Sequence, residues 1–405
     1  MNSDSPGAPT SRHLLFIAET IPVDGIGSAV IFQRHLRRLV DHGWTVHVIS
    51  HFAAPESPAC FWQHTQLPSR QPWWPPVRRH WRPSVWLRTM LERQHLRSTL
   101  DALPAQGVVV VTQFWDDISV LAASIAHRRG WPLGVFHHDD EIGWEPDPRL
   151  QGYLHWKSAR VAATAARIWP VSQKLVAQLP PAAQPKCRVL RPLPGSFGIP
   201  APQWSEVEPR GLRIGYAGKT YGGFQPLLRT LADRLAAHGG TLELITDPEN
   251  AQKLHQSQPN VYARPFMPSQ QAAAAWLRDH CSAVLIAHPL DFSTVSPRWQ
   301  ILRSSFPSKL PEAAQLGLPL LLVGESDSAF GEWALSTPRA PYFSDPTSTV
   351  LDRYLTQLGT REGWQQASAW TQRLAANEFS PSNIHAAWEA DLDELLGPDT
   401  ATIFR

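Results

Sequence analysis

Residues 304–324 read SSFPSKLPEAAQLGLPLLLVG, and this stretch decides the fold. Pro311 is tolerated in a first helical turn, where its missing N–H costs nothing, and the residues around it are good helix formers. Gly317 and Pro319 end that helix. Residues 320–323 form a continuous apolar run, which is typical of a strand buried on both faces. A loop, a helix and a buried strand in this order indicate an α/β protein with a parallel sheet.

The same stretch offers polar groups to a ligand. Ser308, Lys309 and Glu312 lie at or near the predicted helix N-terminus, where free N–H groups favour an anion such as phosphate. Lys309 adds a positive charge, and Glu312 is an acceptor for ribose hydroxyls. The competing interpretation is that Lys309 and Glu312 are ordinary solvated charges on a surface helix.

Length and composition bound the class of protein. A chain of 405 residues exceeds what one core usually supports, so two domains are expected. A net charge of +2, without a long basic run, argues against nucleic acid as a partner. The three cysteines, Cys60, Cys187 and Cys281, match neither a metal site nor a disulfide framework, which favours a reducing cytoplasm. No apolar run reaches the ~18–20 residues of a membrane span, and the polar first 13 residues do not resemble a secretory signal.

The N-terminal half opens with a βαβ pattern. Residues 14–18 predict a strand, residues 29–42 an amphipathic helix and residues 44–49 a second strand. Gly25 and Gly27 lie in the loop after the first strand, where glycine lets the backbone approach a ligand.

A polar cluster, HHDDE at 137–141, follows a predicted strand at 133–136. Open α/β sheets place ligands at such carboxyl ends. A histidine beside carboxylates, as in His137, His138 and Asp139, suits general acid–base chemistry. The cluster lacks the helical i, i+4 spacing of a zinc pair, so no metal site is expected there. A polar loop that merely caps the strand is the competing interpretation.

The C-terminal half repeats the strand–loop–helix pattern. A strand at 212–217 is followed by GKTYGG, which begins at Gly218 and Lys219. A glycine loop with a lysine suits a diphosphate, although the spacing is not that of a P-loop. Together with Lys309, Lys219 would supply two cations to a departing diphosphate without a metal ion.

The segment 73–86 is rich in Trp, Pro and Arg. It is interpreted either as a proline-stiffened surface insertion or as a functional surface. In the second case its tryptophans would stack on a sugar, or would touch a membrane interface together with the arginines.

These motifs resemble a known family. The run FPSKLPEAAQLGLP at 306–319 looks like the donor-binding loop of GT-B glycosyltransferases, especially glycosyltransferase family 4. The glycine loops after the first strand of each half and the His-Asp of HHDDE are also similar. Many members carry a second Glu where this chain has Ser304, so the paired-Glu form of the motif is absent.

The resemblance implies a GT-B fold, an α/β architecture with two Rossmann-like domains whose parallel sheets face a central cleft. The expected divisions are an acceptor-side domain at 1–195, a nucleotide-sugar domain at 196–375, and a last helix at 376–405 that crosses back to the first domain.

The resemblance also implies a reaction. The expected activity is transfer of a sugar from a UDP- or GDP-sugar to a hydroxyl of a glycan, lipid-linked or small-molecule acceptor, by a retaining, metal-independent route without a cofactor. A nucleotide-sugar epimerase and a non-catalytic binding subunit on the same fold remain open. The expected catalytic residues are His138, Asp139, Lys219 and Lys309, and the expected donor-binding residues are Gly25, Gly27, Gly218, Lys219, Ser308, Lys309 and Glu312.

Overall fold

The computed structural model describes residues 11–19, 21–23, 27–53, 62–68, 82–114, 117–195, 197–220, 224–247 and 254–397, and the structural statements below concern these residues. Gly25 and the tryptophans at positions 73, 74 and 81 lie outside the described residues. The chain divides into two compact units. Unit 1 comprises the described residues within Met1–Leu190 and His385–Arg405, and unit 2 comprises those within Arg191–Ile384.

Unit 1 contains a six-stranded parallel sheet in the order β3-β2-β1-β4-β5-β6. The central strand β4 has the sequence VVVVTQ and is buried throughout, as a strand covered on both faces requires. The strands are β1 (His13–Ile17), β2 (Thr45–Ser50), β3 (Gln63–Gln66), β4 (Val108–Gln113), β5 (Leu133–His137) and β6 (Arg167–Pro170).

The helices of unit 1 follow the strands in the alternation that right-handed crossovers produce. They are α1 (Gly27–Asp41), α2 (Arg82–His95), α3 (Arg97–Asp101), α4 (Ile118–Arg129), α5 (Glu141–Trp144), α6 (Pro148–Thr164) and α7 (Gln173–Gln178). Ser172 caps α7 by accepting a hydrogen bond from Leu175 N, as its sequence suggests.

Unit 2 repeats the plan with the sheet order β12-β11-β10-β7-β8-β9. Counted from the first strand of the unit, this is the same order as in unit 1, and all pairs are parallel. The strands are β7 (Arg213–Ala217), β8 (Thr241–Ile245), β9 (Val261–Arg264), β10 (Ala283–Ala287), β11 (Leu320–Val323) and β12 (Tyr342–Phe343). The helices after α7 are α8 (Trp204–Val207), α9 (Gln225–Ala237), α10 (Gln270–His280), α11 (Lys309–Ala314), α12 (Ala329–Ser336), α13 (Thr349–Leu358), α14 (Arg361–Ala376) and α15 (Pro381–Leu396).

Some local predictions from the sequence are wrong. The sequence of residues 189–195 also suggests a strand, but the structure has none there. Backbone pairing with β6 extends only to Leu190, whose N–H donates to Pro170 O, next to an isolated bridge between Ile168 and Cys187. The stretch 196–208, whose prolines and glycines suggest a linker, contains the helix α8. The sequence of residues 350–377 is helical in pattern, but the structure divides it into α13 and α14 at Gly359 and Thr360, where Thr360 caps α14.

The edge strand β3 was not predicted. Its sequence, QHTQ, has no apolar residue, and its side chains are at most half-buried. An edge strand needs neither the alternation nor the apolar run by which strands are recognised.

Candidate functional site

The topology of unit 2 selects one edge of its sheet. The strands β7 and β10 are neighbours, and the chain leaves them for opposite sides of the sheet. Doubly wound sheets bind ligands at the carboxyl ends of such a pair. Gly218 and Lys219 directly follow β7, and His288 directly follows β10.

Lys309, at the start of α11, reaches the same place. Gly218 has a φ of +148°, and a Cβ built on it would lie 1.5 Å from Lys309 Nζ. The ammonium also lies 4.9 Å from the centroid of the Tyr216 ring and donates a hydrogen bond of 3.3 Å to the Tyr216 hydroxyl. Glycine at 218 therefore leaves the space that the Lys309 side chain fills.

The two predicted lysines are close enough to interact electrostatically. Partial burial, followed by repulsion from Lys219, lowers the pKa of Lys309 to about 8. Both residues are nevertheless exposed, so solvent reaches Lys309 even though its ammonium rests against protein. Within the described part of the chain, no carboxylate forms a salt bridge with either lysine. Two nearby cations without a salt bridge to a protein carboxylate are an arrangement that suits an anion.

His288 is a buried, uncharged residue at this edge of the sheet. The residue is 4% exposed and its ring packs 5.0 Å from that of Phe330. Burial, with a smaller contribution from Lys309, lowers the pKa of His288 to about 3, so the ring is neutral at physiological pH. Its Nδ1 is buried without a hydrogen-bond partner among the described residues. The backbone N–H of His288 donates to Val323 O, which continues the ladder with β11.

The remaining predicted residues of unit 2 lie on α11 or before it. Ser308 is exposed and precedes α11 without a side-chain capping bond. Glu312 is half-buried, and its Oε2 accepts a hydrogen bond of 3.3 Å from Gly195 N. Because α11 has only six residues, its N-terminus is a weak anion site by itself, and the lysines carry the positive charge. Ser304 is buried and its hydroxyl donates to Ile301 O.

The predicted residues of unit 1 lie at the carboxyl edge of its own sheet. Gly27 starts α1 with a φ of +43°. His138 is half-buried and stacks on Phe32 of α1 with ring centroids 5.1 Å apart. Burial lowers the pKa of His138 to about 4, so it is a neutral hydrogen-bonding group at pH 7. Asp139, next to it, is also half-buried.

A buried polar network behind HHDDE was not predicted. Asp117 receives hydrogen bonds from Tyr153 (2.6 Å) and Arg88 (3.0 Å). Lys157, which is fully buried, pairs with Glu141 at 2.5 Å, and burial raises the pKa of Glu141 to about 7 despite that partner. The sequence signal was weak, because the four helices and loops that contribute these residues are separated along the chain. The network holds the loop after β5 to α6 and so positions His138 and Asp139.

Comparison with known proteins gives the fold. No protein-family model matches the sequence, and no curated protein matches it. Solved structures do match. Alr3699/HepE from Anabaena, solved in complex with UDP-glucose, is 14% identical with a TM-score of 0.62 and covers 94% of this chain and 99% of its own. A glycosyltransferase from Rickettsia africae ESF-5 is 9% identical with a TM-score of 0.64 and covers 97% and 100%.

A third match is an α,α-trehalose-phosphate synthase (UDP-forming) from Burkholderia vietnamiensis, 11% identical with a TM-score of 0.62, covering 96% of this chain and 99% of its own. The predicted fold class is confirmed, since the chain has the GT-B type of α/β fold seen in these proteins. Identities this low establish a shared fold, and fold does not by itself determine the reaction.

Proposed function

We propose that this protein is a glycosyltransferase that moves a sugar from a nucleotide-diphosphate-sugar to a hydroxyl acceptor. The observation that carries the proposal is the packing of Lys309 against Gly218, directly before Lys219 and close enough to feel its charge, at the carboxyl edge of a doubly wound sheet. The fold shared with nucleotide-sugar-dependent enzymes supports it.

The lysines would act on the leaving group. Breaking the bond between the sugar and the diphosphate leaves an oxocarbenium-like sugar and gathers negative charge on the diphosphate. Cations already in place at that oxygen stabilise this charge more in the transition state than in the bound substrate. Lys219 and Lys309 supply two such cations, so the mechanism we propose is independent of a metal ion and of a cofactor.

The nucleoside would extend from this point along α11. We assign Glu312 to the ribose hydroxyls, because its carboxylate is half-buried and held by Gly195 N beside the lysine-bearing turn. Ser308 would donate to a phosphate oxygen. We propose UDP-sugar as the first donor to test and GDP-sugar as the second, since Alr3699/HepE was solved with UDP-glucose and with UDP.

The acceptor would bind unit 1 at the carboxyl edge of its sheet. His138 is neutral, so it would orient a sugar hydroxyl by hydrogen bonding rather than by charge. Asp139, half-buried next to it, would accept a hydrogen bond from the acceptor hydroxyl. We propose retention of configuration, with the departing diphosphate itself taking the acceptor proton.

The test is release of nucleotide diphosphate from UDP- and GDP-sugars, with and without acceptor candidates. Lys309→Ala is expected to lower kcat/KM about 10- to 150-fold, because a hydrogen bond to a charged group contributes about 1.5–3 kcal/mol. Arg229→Ala removes an exposed cation from α9 and serves as the matched control. Unchanged turnover in Lys309→Ala, with Arg229→Ala also unchanged, would remove the phosphate assignment.

Ser304 favours a second candidate, a binding subunit without turnover. The buried serine already donates to Ile301 O, so this position does not present a carboxylate to a donor sugar. Nucleotide binding that requires both lysines, without release of product from any donor, would select this function over transfer.

We also propose a peripheral membrane contact through the predicted segment 73–86 and α2, the helix that begins within it. Helix spacing puts the apolar residues of this stretch on one face, where they are exposed: Trp86 (62%), Leu87 (48%), Met90 (37%) and Leu91 (58%). Arg82, one turn before Trp86, adds a positive charge suited to anionic headgroups. Among the described residues, no helix is long and apolar enough to cross a bilayer.

Co-sedimentation with vesicles of anionic and of neutral phospholipid tests this contact. We expect binding to anionic vesicles that Trp86→Ser with Leu91→Ser abolishes. Leu335→Ser, at an equally exposed leucine of unit 2, is the control and should not change binding. Equal vesicle binding by the double variant would exclude α2 as the contact.

A further inference from the structure

A cluster of metal-ligating side chains lies in unit 1, on elements that the proposed reaction does not use. His385 and Glu389 are one turn apart on α15, and His42 directly follows α1. One ligand atom from each of the three residues lies within 4.8 Å of the others. Neutral imidazole and carboxylate in this number are the usual ligands of zinc, and i, i+4 on a helix is a spacing that places two of them on one ion.

His385 presents a nitrogen whose bonding is incomplete. The residue is 1% exposed, and its Nε2 has no hydrogen-bond partner in the described part of the chain. Its Nδ1 lies 3.2 Å from Nδ1 of His35, which is equally buried. Only one of those two nitrogens can hold the shared proton.

Neither arrangement of that proton satisfies Nε2. If His385 holds it, Nε2 carries a lone pair that faces the Glu389 carboxylate. If His35 holds it, an Nε2–H of His385 faces Glu389 Oε2 at 3.7 Å, which is too long for a hydrogen bond. A cation between Nε2 and Oε2 removes this conflict, and His35 then fixes the tautomer from behind, as outer partners of metal-bound histidines do.

Hydrogen bonds also fix the Glu389 carboxylate in a position from which it could bind the same cation. Glu389 Oε1 accepts hydrogen bonds from Trp44 Nε1 (3.0 Å) and from Arg12 (3.4 Å). These contacts leave Oε2 directed at the histidines, 2.5 Å from His42 Nδ1. The side chain of His42 is 52% exposed, so it has room to move and solvent can reach the cluster.

We propose that His42, His385 and Glu389 bind one divalent transition-metal ion of the zinc class, with water as the fourth ligand. Zinc bonds to nitrogen and oxygen of about 2.0–2.2 Å put tetrahedral ligand atoms about 3.4 Å apart. The separations of 2.5 Å and 3.7 Å at Oε2 bracket that value. Rotation of the half-exposed His42 lengthens the first, and the second is already within about 0.3 Å of it. The ion is structural, since it joins α15 to the end of α1.

The experiment titrates Co²⁺ and then Zn²⁺ into the full chain, purified without a histidine tag and stripped with chelator. The visible absorption of bound Co²⁺ and the metal content after dialysis are the readouts, and neither depends on activity. His42→Gln removes the half-exposed ligand with least risk to folding. His127→Gln, at an exposed histidine in the last turn of α4, is the matched control for adventitious binding.

We expect one equivalent of ion in the wild type and in His127→Gln, with weaker binding by at least 100-fold in His42→Gln and in Glu389→Gln. His35→Phe, which removes the outer partner, should weaken binding by about 10- to 100-fold. Zn²⁺ should raise the melting temperature of the wild type but not of His42→Gln. Equal Co²⁺ spectra and equal metal content in the wild type and His42→Gln, or no binding by the wild type above the level of a chelated blank, would overturn the proposal.

Discussion

At the scale of single residues, Gly218 and Lys309 depend on each other. Gly218 has no side chain, so there is space against the backbone after β7. The ammonium of Lys309, 91 positions further along the chain, fills that space. From the sequence, each residue could be assigned to a glycine loop or a lysine-bearing turn. Their contact could not be predicted, because it depends on the register between β7, β10 and β11, which no local pattern encodes. The roles of all the site residues in binding and catalysis stay predictions.

Gly218→Ala should impair nucleotide-diphosphate binding as much as Lys309→Ala does. An added Cβ would occupy the position of Nζ, so the ammonium has to leave. The two losses should be less than additive in the double variant, because both remove the same contact. The measurement is the Kd for UDP or GDP by calorimetry in all four forms.

Gly239→Ala is the control for this cycle. Gly239 also has a positive φ, +67°, but an added Cβ there meets nothing within 4 Å. It should cost about 1–2 kcal/mol of backbone strain without changing the Kd. Equal affinities for Gly218→Ala and Gly239→Ala would show that the space at Gly218 does not matter for binding.

Lys309 also predicts a pH dependence. Burial and repulsion from Lys219 lower its pKa to about 8, so the amine is charged below that pH and neutral above it. A bound diphosphate favours the charged form, so affinity should fall as pH rises through about 8, by up to tenfold per pH unit. Above about pH 7 the terminal phosphate is already ionised and does not contribute to the change.

The measurement is the Kd of the nucleotide diphosphate as a function of pH for the wild type and Lys309→Arg. Arginine stays charged throughout this range, so its profile should lack the inflection near the lysine pKa. The same inflection in both proteins would assign the titration to another group.

At the scale of elements, α15 is the segment whose role is clearest. From His385 on it belongs to unit 1, where Trp388 is fully buried. Asp391 accepts a 2.7 Å hydrogen bond from Trp169 Nε1 and pairs with Arg188. The sequence predicted this helix from its pattern, but the apolar spacing does not tell which partner covers it.

Asp391→Ala should destabilise unit 1 by about 2–3 kcal/mol, chiefly because it leaves the buried Trp169 N–H without a partner. The lost ion pair with the half-exposed Arg188 contributes less. Asp393→Ala is the matched control, since Asp393 is 48% exposed and pairs with Arg12 at the surface. That change should cost less than about 1 kcal/mol. Urea unfolding followed by tryptophan fluorescence measures both, and equal midpoints would contradict the assignment.

At the scale of the molecule, two units of one strand order account for the fold. Apolar runs such as VVVVTQ and LLLV, each followed by a loop and a helix, were enough to predict parallel sheets. What escaped prediction lacked such runs: the polar edge strand β3, the irregular stretch 189–195, and the buried charges Asp117 and Lys157. Each of these features depends on contacts between residues far apart in the sequence, which a local sequence pattern does not reveal.

The central claim is that Lys219 and Lys309 bind a diphosphate. Calorimetric titration of the wild type with UDP and GDP, and with uridine and guanosine as phosphate-free controls, tests it most directly. A diphosphate that binds at least about 100-fold more tightly than its nucleoside is expected from two charge-assisted contacts, with the difference lost in Lys219→Ala combined with Lys309→Ala. A diphosphate preference that survives in the double variant would contradict the account.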